Sequence, residues 1–189
     1  MNTDTQDIAR GLRLRDVDFL RALVGQYQYR LVRYFIYLLG KRDPVDDLVQ
    51  ETWLRVLERG RSYDGRSRFE PWLFTIARNL AIDHMRKKRM SSIDVDESLE
   101  QELEALTPVS NAPSPFEQAA RTEDAQRLAH ALQKLEPIYR EALVLRFQED
   151  LSLQEMAAVI GASVSTVSSR VYRGLAALRA QLDGGAHAN

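Results

Sequence analysis

The 189-residue chain contains no cysteine. Disulfides, thiol redox chemistry and cysteine-ligated zinc are therefore excluded. No apolar run is long enough to cross a bilayer. The first ten residues, MNTDTQDIAR, are polar and acidic and do not read as a secretory leader. These absences lead to the expectation of a cytoplasmic protein that is not membrane-inserted. Chemistry is equally scarce. There is no Gly-rich phosphate loop, no set of residues at metal-ligand spacing and no nucleophile–base constellation. Asp46 and Asp47 are neighbours, but neighbouring side chains on a helix point about 100° apart and do not converge on a substrate. The expectation is no enzyme, no cofactor, no metal and no small-molecule substrate.

With 44% hydrophobic and 28% charged residues, the composition is that of a folded globular protein. The net charge of −1 conceals an uneven distribution. Residues 1–90 hold 18 Lys and Arg against 12 Asp and Glu. Residues 91–118 hold 7 acids and no Lys or Arg, and residues 119–189 are balanced at 8 of each. A basic first part is thus followed by an acidic connector. Three prolines and scattered apolar residues make that connector read as a linker, with room for a short helix around Leu99–Leu106.

No β-alternation of any length is present, whereas helical spacing recurs throughout. Phe19, Leu20, Leu23, Val24, Tyr27, Leu31, Tyr34, Phe35 and Leu38 follow one another at three and four, up to Gly40. In VDDLVQETWLRVLERG, residues Leu48, Val49, Thr52, Trp53, Val56 and Leu57 form one expected inner face, and Gly60 is an expected stop. Pro71 sits near the start of the next helix. The expected fold is all-α, with two small helical domains at residues 1–92 and 119–189 joined by an acidic linker at 93–118.

The stretch LSLQEMAAVIGASVSTVSSRVYRGLAALR, residues 151–179, has the parts of a helix–turn–helix. Ser152 and Glu155 form a capping-box pattern. Ala157 permits close helix approach, Gly161 permits the turn, and Ser163 can cap the second helix. Val164, Val167, Val171, Leu175 and Leu178 are expected inward, with Val164 and Val167 locking the two helices together. Ser165, Thr166, Ser168, Ser169, Arg170 and Arg173 are left on the face that a recognition helix turns to the major groove. Hydroxyls and guanidinium groups suit phosphates and base edges there.

In WLFTIARNLAIDHMRKKRM, residues 72–90, an inward stripe of Leu73, Ile76, Ala77, Leu80, Ala81 and His84 lies beside a second face. That face carries Trp72, Thr75, Asn79, Asp83 and Arg86 at spacings of three and four. Lys87, Lys88 and Arg89 continue the cationic end. Upstream, Tyr63, Arg66, Arg68 and Phe69 alternate rings with cations. Flat rings and cations suit unstacked bases and phosphates. Phe69 and Trp72 have a second reading as core residues, and the cationic end has a second reading as a complement to the helix dipole.

Three stretches taken together, DDLVQETWLRVLERG, RFEPWLFTIARNLAIDHMRKKRM and LEPIYREALVLRFQEDLSLQEMAAVIGASVSTVSSRVYRGLAALR, resemble bacterial RNA polymerase sigma factors of the small, extracytoplasmic-function type. The resemblance spans nearly the whole chain. It implies a subunit that binds core RNA polymerase and directs promoter-specific initiation. It implies polymerase contacts at Asp47, Gln50, Glu51 and Arg55. Recognition and melting of the minus-ten element would fall to Phe69, Trp72, Asn79, Asp83, Arg86, Lys87, Lys88 and Arg89, and minus-thirty-five reading to Ser165, Thr166, Ser168, Ser169, Arg170 and Arg173. The chain departs from the family at Ser168, where a basic residue is frequent, and in having only Arg179 after Arg173. Two means of control are compatible with this organisation: an anti-sigma partner, or packing of the two domains with their DNA faces hidden. The rival reading is a conventional dimeric helix–turn–helix regulator that acts without polymerase.

Overall fold

A computed structural model describes residues 4–91 and 125–185, with the side chains of residues 88–91 and 184–185 excepted. The expected linker at 93–118, with its short helix at Leu99–Leu106, lies outside the described residues. Everything described is helix or connecting turn, with no strand among the described residues. The N-terminal half comprises α1 (Thr5–Leu14), α2 (Val17–Leu39), α3 (Val45–Arg59) and α4 (Phe69–Ser91). The C-terminal half comprises α5 (125–133), α6 (Pro137–Leu143), α7 (Leu153–Ile160) and α8 (Val164–Gly185).

Side-chain caps set most of the boundaries. The Asp16 carboxylate accepts from the Asp18 and Phe19 amides and starts α2, and Gly40 ends it in the left-handed region at φ 70°. The expected capping box is present at α7: Ser152 accepts from the Glu155 amide, and Glu155 accepts in return from the Ser152 amide. Gly161 closes α7 at φ 71°. Ser163 then accepts from the Thr166 amide and caps α8. Gly60 ends α3 without a left-handed turn. It continues into a single 3₁₀ turn, Gly60–Ser62, and lies close against Leu12 of α1.

Helix α1 left no clear pattern in the sequence. It is short, capped by Asp4, and buries Ile8, Ala9 and Leu12. Its first turn fixes the loop before α4, because Thr5 Oγ1 and Gln6 Nε2 both donate to the Gly65 carbonyl, at 2.7 and 3.0 Å. A π turn, Val144–Gln148, extends α6 and turns Phe147 outward, 62% exposed.

One apolar core runs through both halves. Tyr34, Phe35, Phe69, Leu73 and Phe74 from the first half share it with Leu145, Leu151, Met156 and Val167 from the second. Tyr34 sits edge-on to Phe74, their centroids 5.1 Å apart. Phe74, which falls outside the inner stripe expected from spacing, is fully buried. Three residues expected inside are partly outside: Leu57 at 38%, Val164 at 39% and Leu175 at 43% exposed. Each lies at the edge of its helix's buried arc, where a half-turn of error in the stripe decides the side. Val167 and Val171, not Val164, hold α8 on the core.

Two glycines with open space around the Cβ position provide a matched test. A Cβ at Gly25, within α2, or at Gly161 meets nothing within 4 Å. Gly25→Ala should raise stability by about 0.5–1 kcal/mol through helix propensity. Gly161→Ala should lower it by about 1–2 kcal/mol through left-handed strain. Urea melts of the two variants should therefore shift in opposite directions.

Candidate nucleic-acid and polymerase interface

Three exposed rows correspond to the three groups of expected contacts. On α3, Asp47 and Gln50 are exposed, and Glu51 and Arg55 are half-buried and paired at 2.8 Å. Arg55 also lies 3.6 Å from Glu58. Leu54, 47% exposed, and Leu57 fall on the same side as Asp47 and Gln50. This row is therefore an apolar strip edged with charge. Its leucines carry no functional signal in the sequence, because their spacing is also that of a buried stripe.

On α4, Asn79, Asp83, Arg86 and Lys87 are exposed and Trp72 is half-buried. Asp83 lies 3.5 Å from Arg86, so the row is partly self-neutralised. Thr75 donates to the Pro71 carbonyl at 2.7 Å, which occupies its hydroxyl. The backbone of Lys88 and Arg89 continues α4, and their side chains lie outside the described ones.

Phe69 requires correction. It is 1% exposed and packs against Tyr27, Tyr63 and Trp72, with centroids 5.2, 5.4 and 5.6 Å away. A ring enclosed on these sides cannot stack on a base, so Phe69 is core. Trp72 remains as the one aromatic of the expected pair with solvent access.

Glu70 lies beneath this aromatic cluster. It accepts from the Tyr27 hydroxyl at 3.0 Å and lies 3.4 Å from Arg30 and 3.5 Å from Arg68. Burial works to raise its carboxyl, but its own backbone amide, Tyr27, Arg68 and Arg30 outweigh burial and hold it below the ordinary carboxylate range. Burial, with Glu70 and Asp64 nearby, pushes Tyr63 up to about 12.

On α8, Ser165, Thr166, Ser168, Ser169 and Arg173 are exposed and Arg170 is half-buried. The hydroxyls of Ser165 and Thr166 are tied to the capping Ser163, at 3.0 and 2.8 Å. Among the described residues no carboxylate pairs with Arg170 or Arg173. One exposed and one half-buried arginine and two untethered serines thus lie along the front of a capped helix, set at a glycine turn against α7.

Residues 23–90 match the family model "Sigma-70 region 2", and residues 125–178 match "Sigma-70, region 4". The chain is 31% identical over 174 residues to the ECF RNA polymerase sigma factor SigW of Bacillus subtilis, covering 88% of this chain and 90% of that one. The chain belongs to the sigma-70 family, extracytoplasmic-function type. This sigma factor is also 38% identical over 149 residues to EcfG of Rhodopseudomonas palustris, covering 79% and 77% of the two chains. The solved structures that resemble it include two complexes. One is the sigma factor RpoE bound to the anti-sigma factor NepR, from Bartonella quintana (TM-score 0.68, 28% identity, 88% of this chain and 97% of that one). The other is CnrH bound to the cytosolic domain of CnrY (TM-score 0.69, 26% identity, 96% and 99%). The family assignment makes the chain a polymerase-binding factor that directs promoter-specific initiation and sets aside the stand-alone dimeric regulator. Among the described residues, no helix is long and apolar enough to cross a membrane, and no group of side chains could hold a metal ion.

Two stability experiments separate core from surface in this sigma factor. Phe69→Ala should cost about 3–5 kcal/mol, and Asn79→Ala should stay within about 0.5 kcal/mol. Because the folded Glu70 carboxyl is depressed, its contribution is complete above the unfolded carboxylate value and is lost as pH falls through the folded one. Glu70→Gln should therefore cost about 1–3 kcal/mol at pH 7. That difference should shrink in melts taken below about pH 4.

Proposed function

We propose that this sigma factor divides promoter recognition between its halves. Residues 1–92 form the region 2 domain. Its α3 row, Asp47, Gln50, Glu51 and Arg55 with Leu54 and Leu57 between them, docks on core polymerase. Its α4 row, Trp72, Asn79, Asp83 and Arg86 with the Lys87–Arg89 end, takes and opens the minus-ten element. Residues 119–189 form the region 4 domain, whose Ser168, Ser169, Arg170 and Arg173 read the minus-thirty-five element from the major groove. Residues 93–118 join the two. The chain performs no catalysis of its own, acts in the cytoplasm, and is open to control by an anti-sigma partner of the kind that binds RpoE of Bartonella quintana.

The carrying observation is the pair of exposed rows, one on α4 in the N-terminal half and one on α8 in the C-terminal half. Neither row is strongly cationic, so each supplies a modest contact. Joint mounting on polymerase makes the second contact effectively intramolecular.

Run-off transcription with core polymerase on genomic fragments tests this reading. Promoter-specific transcripts that appear only when the chain is added support it. Tight binding of promoter duplex by the isolated chain at physiological salt would contradict it. Arg170→Ala/Arg173→Ala should weaken use of the minus-thirty-five element while leaving polymerase binding intact. Replacing Arg86, Lys87, Lys88 and Arg89 with glutamine should flatten the salt dependence of holoenzyme–promoter binding. The slope should fall by about 0.9 for every phosphate that is no longer neutralised.

A further inference from the structure

The region 2 match begins at residue 23, after α1, so it gives that helix no part in promoter recognition. Yet α1 grips the connection between α3 and α4. Thr5 Oγ1 and Gln6 Nε2 donate to one carbonyl, that of Gly65, from 60 and 59 residues away in the sequence. A carbonyl oxygen has two lone pairs, and here α1 fills both. Gly65 is buried and sits at φ 74°. A Cβ there would fall 2.9 Å from the Thr5 carbonyl oxygen and 3.1 Å from the Ala9 Cβ. Glycine is thus required twice, by the left-handed backbone and by the close approach of α1. The other end of the connection seats on the same helix, because a Cβ at Gly60 would lie 3.1 Å from the Leu12 Cβ.

Tyr63 closes the loop from another side. Its hydroxyl donates to the Ser67 carbonyl at 2.6 Å, and its ring centroid lies 5.4 Å from that of Trp72. Asp64 accepts from the Arg66 amide at 3.0 Å. The backbone of residues 63–68 is therefore fixed at three points, while Asp64, Arg66, Ser67 and Arg68 are exposed. A fixed backbone with side chains left in water is the condition for binding at low ordering cost. Arg68 is engaged by Glu70 and by the Asp150 carbonyl. Arg66, with 87% of its side chain exposed, lies 3.5 Å from Asp64. Exposed pairs of this kind are weak, which leaves the guanidinium available to a phosphate. The loop runs directly into α4 and Trp72, where the minus-ten row starts.

We propose that α1 is a positioning element for minus-ten recognition. Thr5 and Gln6 hold the 63–68 loop in the one shape that presents Arg66 to the backbone of the strand opened beside Trp72. They touch no DNA themselves and act through the Gly65 carbonyl. The inference rests on the minus-ten role of the α4 row given above.

Thr5→Val/Gln6→Met removes both donors at nearly constant size. A nitroxide at Ser67→Cys, in an otherwise cysteine-free chain, reports the loop before any promoter is involved. Its continuous-wave spectrum should show greater mobility in the double variant, and an unchanged spectrum would overturn the hold of α1 on the loop. With core polymerase, run-off transcription is then compared between a promoter and copies carrying single minus-ten substitutions. The ratio of the two should narrow by about fivefold in the double variant, and Thr5→Ser, which keeps the hydroxyl, should retain the full ratio. A smaller folded fraction would lower both transcripts together and leave the ratio as it was. A mobile loop with an unchanged ratio would overturn the positioning role while leaving recognition by α4 in place. A wild-type chain that does not discriminate among minus-ten sequences would remove the α4 assignment and this inference with it. Arg66→Gln should flatten the salt dependence of holoenzyme–promoter binding by about 0.7, and an unchanged slope would overturn Arg66 as the loop's contact.

Discussion

A carboxylate with no exposed surface cannot stay charged without a partner, and Glu149 finds its partner in the other half of the chain. Arg30 supplies the charge. It is itself placed over the Tyr27 and Phe74 rings, with its guanidinium carbon 5.0 and 5.8 Å from their centroids. It also reaches Glu70, which Tyr27 and Arg68 share. The region 2 core, the loop before α4 and the π turn leading to α7 are therefore linked through one guanidinium. Burial alone would lower the Arg30 pKa, but Glu149 and Glu70 more than compensate and raise it. Neither half can satisfy this network alone without moving its charges into water.

That constraint explains how a fold built from ordinary helices serves a two-part task. Each half has its own caps and its own share of the apolar core, so its exposed row is held by local structure. What lies between the halves is a mixed surface of ion pairs and small or flexible apolar residues such as Ala142 and Met156. Surfaces of this composition resemble interfaces between domains that separate more than the interior of one domain. The three rows proposed as contacts lie outside this mixed surface, on α3, α4 and α8. Separation would leave them intact and change only their spacing.

The helices are legible in the sequence where periodicity is long and caps are strong. The α2 stripe ends at Gly40, the capping box begins α7, and Ser163 caps α8, all from local chemistry that a short window contains. Less is legible where the buried arc ends. Leu57, Val164 and Leu175 are apolar and in phase, yet they face outward because packing, not spacing, sets the width of a buried face. Phe69 is ambiguous for a related reason. A ring beside arginines has the same pattern whether it stacks on a base or on Tyr27 and Tyr63. The mixed surface between the halves leaves no signal at all. Arg78 reads as one more polar position on α4, and Glu141 as one more on α6. Their pairing across 63 positions is a product of tertiary placement. Sequence relatives account for the family, but the charges that join the halves are visible only in three dimensions.

The most direct measurement is the distance between the halves before and after polymerase binds. Spin labels at Ser62→Cys and Lys134→Cys, both at exposed positions, can be read by pulsed electron resonance in an otherwise cysteine-free chain. The free protein should give one short distance within the roughly 40 Å span of the packed molecule. Adding core polymerase and promoter DNA should lengthen it by tens of ångströms. An unchanged short distance in a transcribing complex would contradict a division of promoter recognition between the two halves.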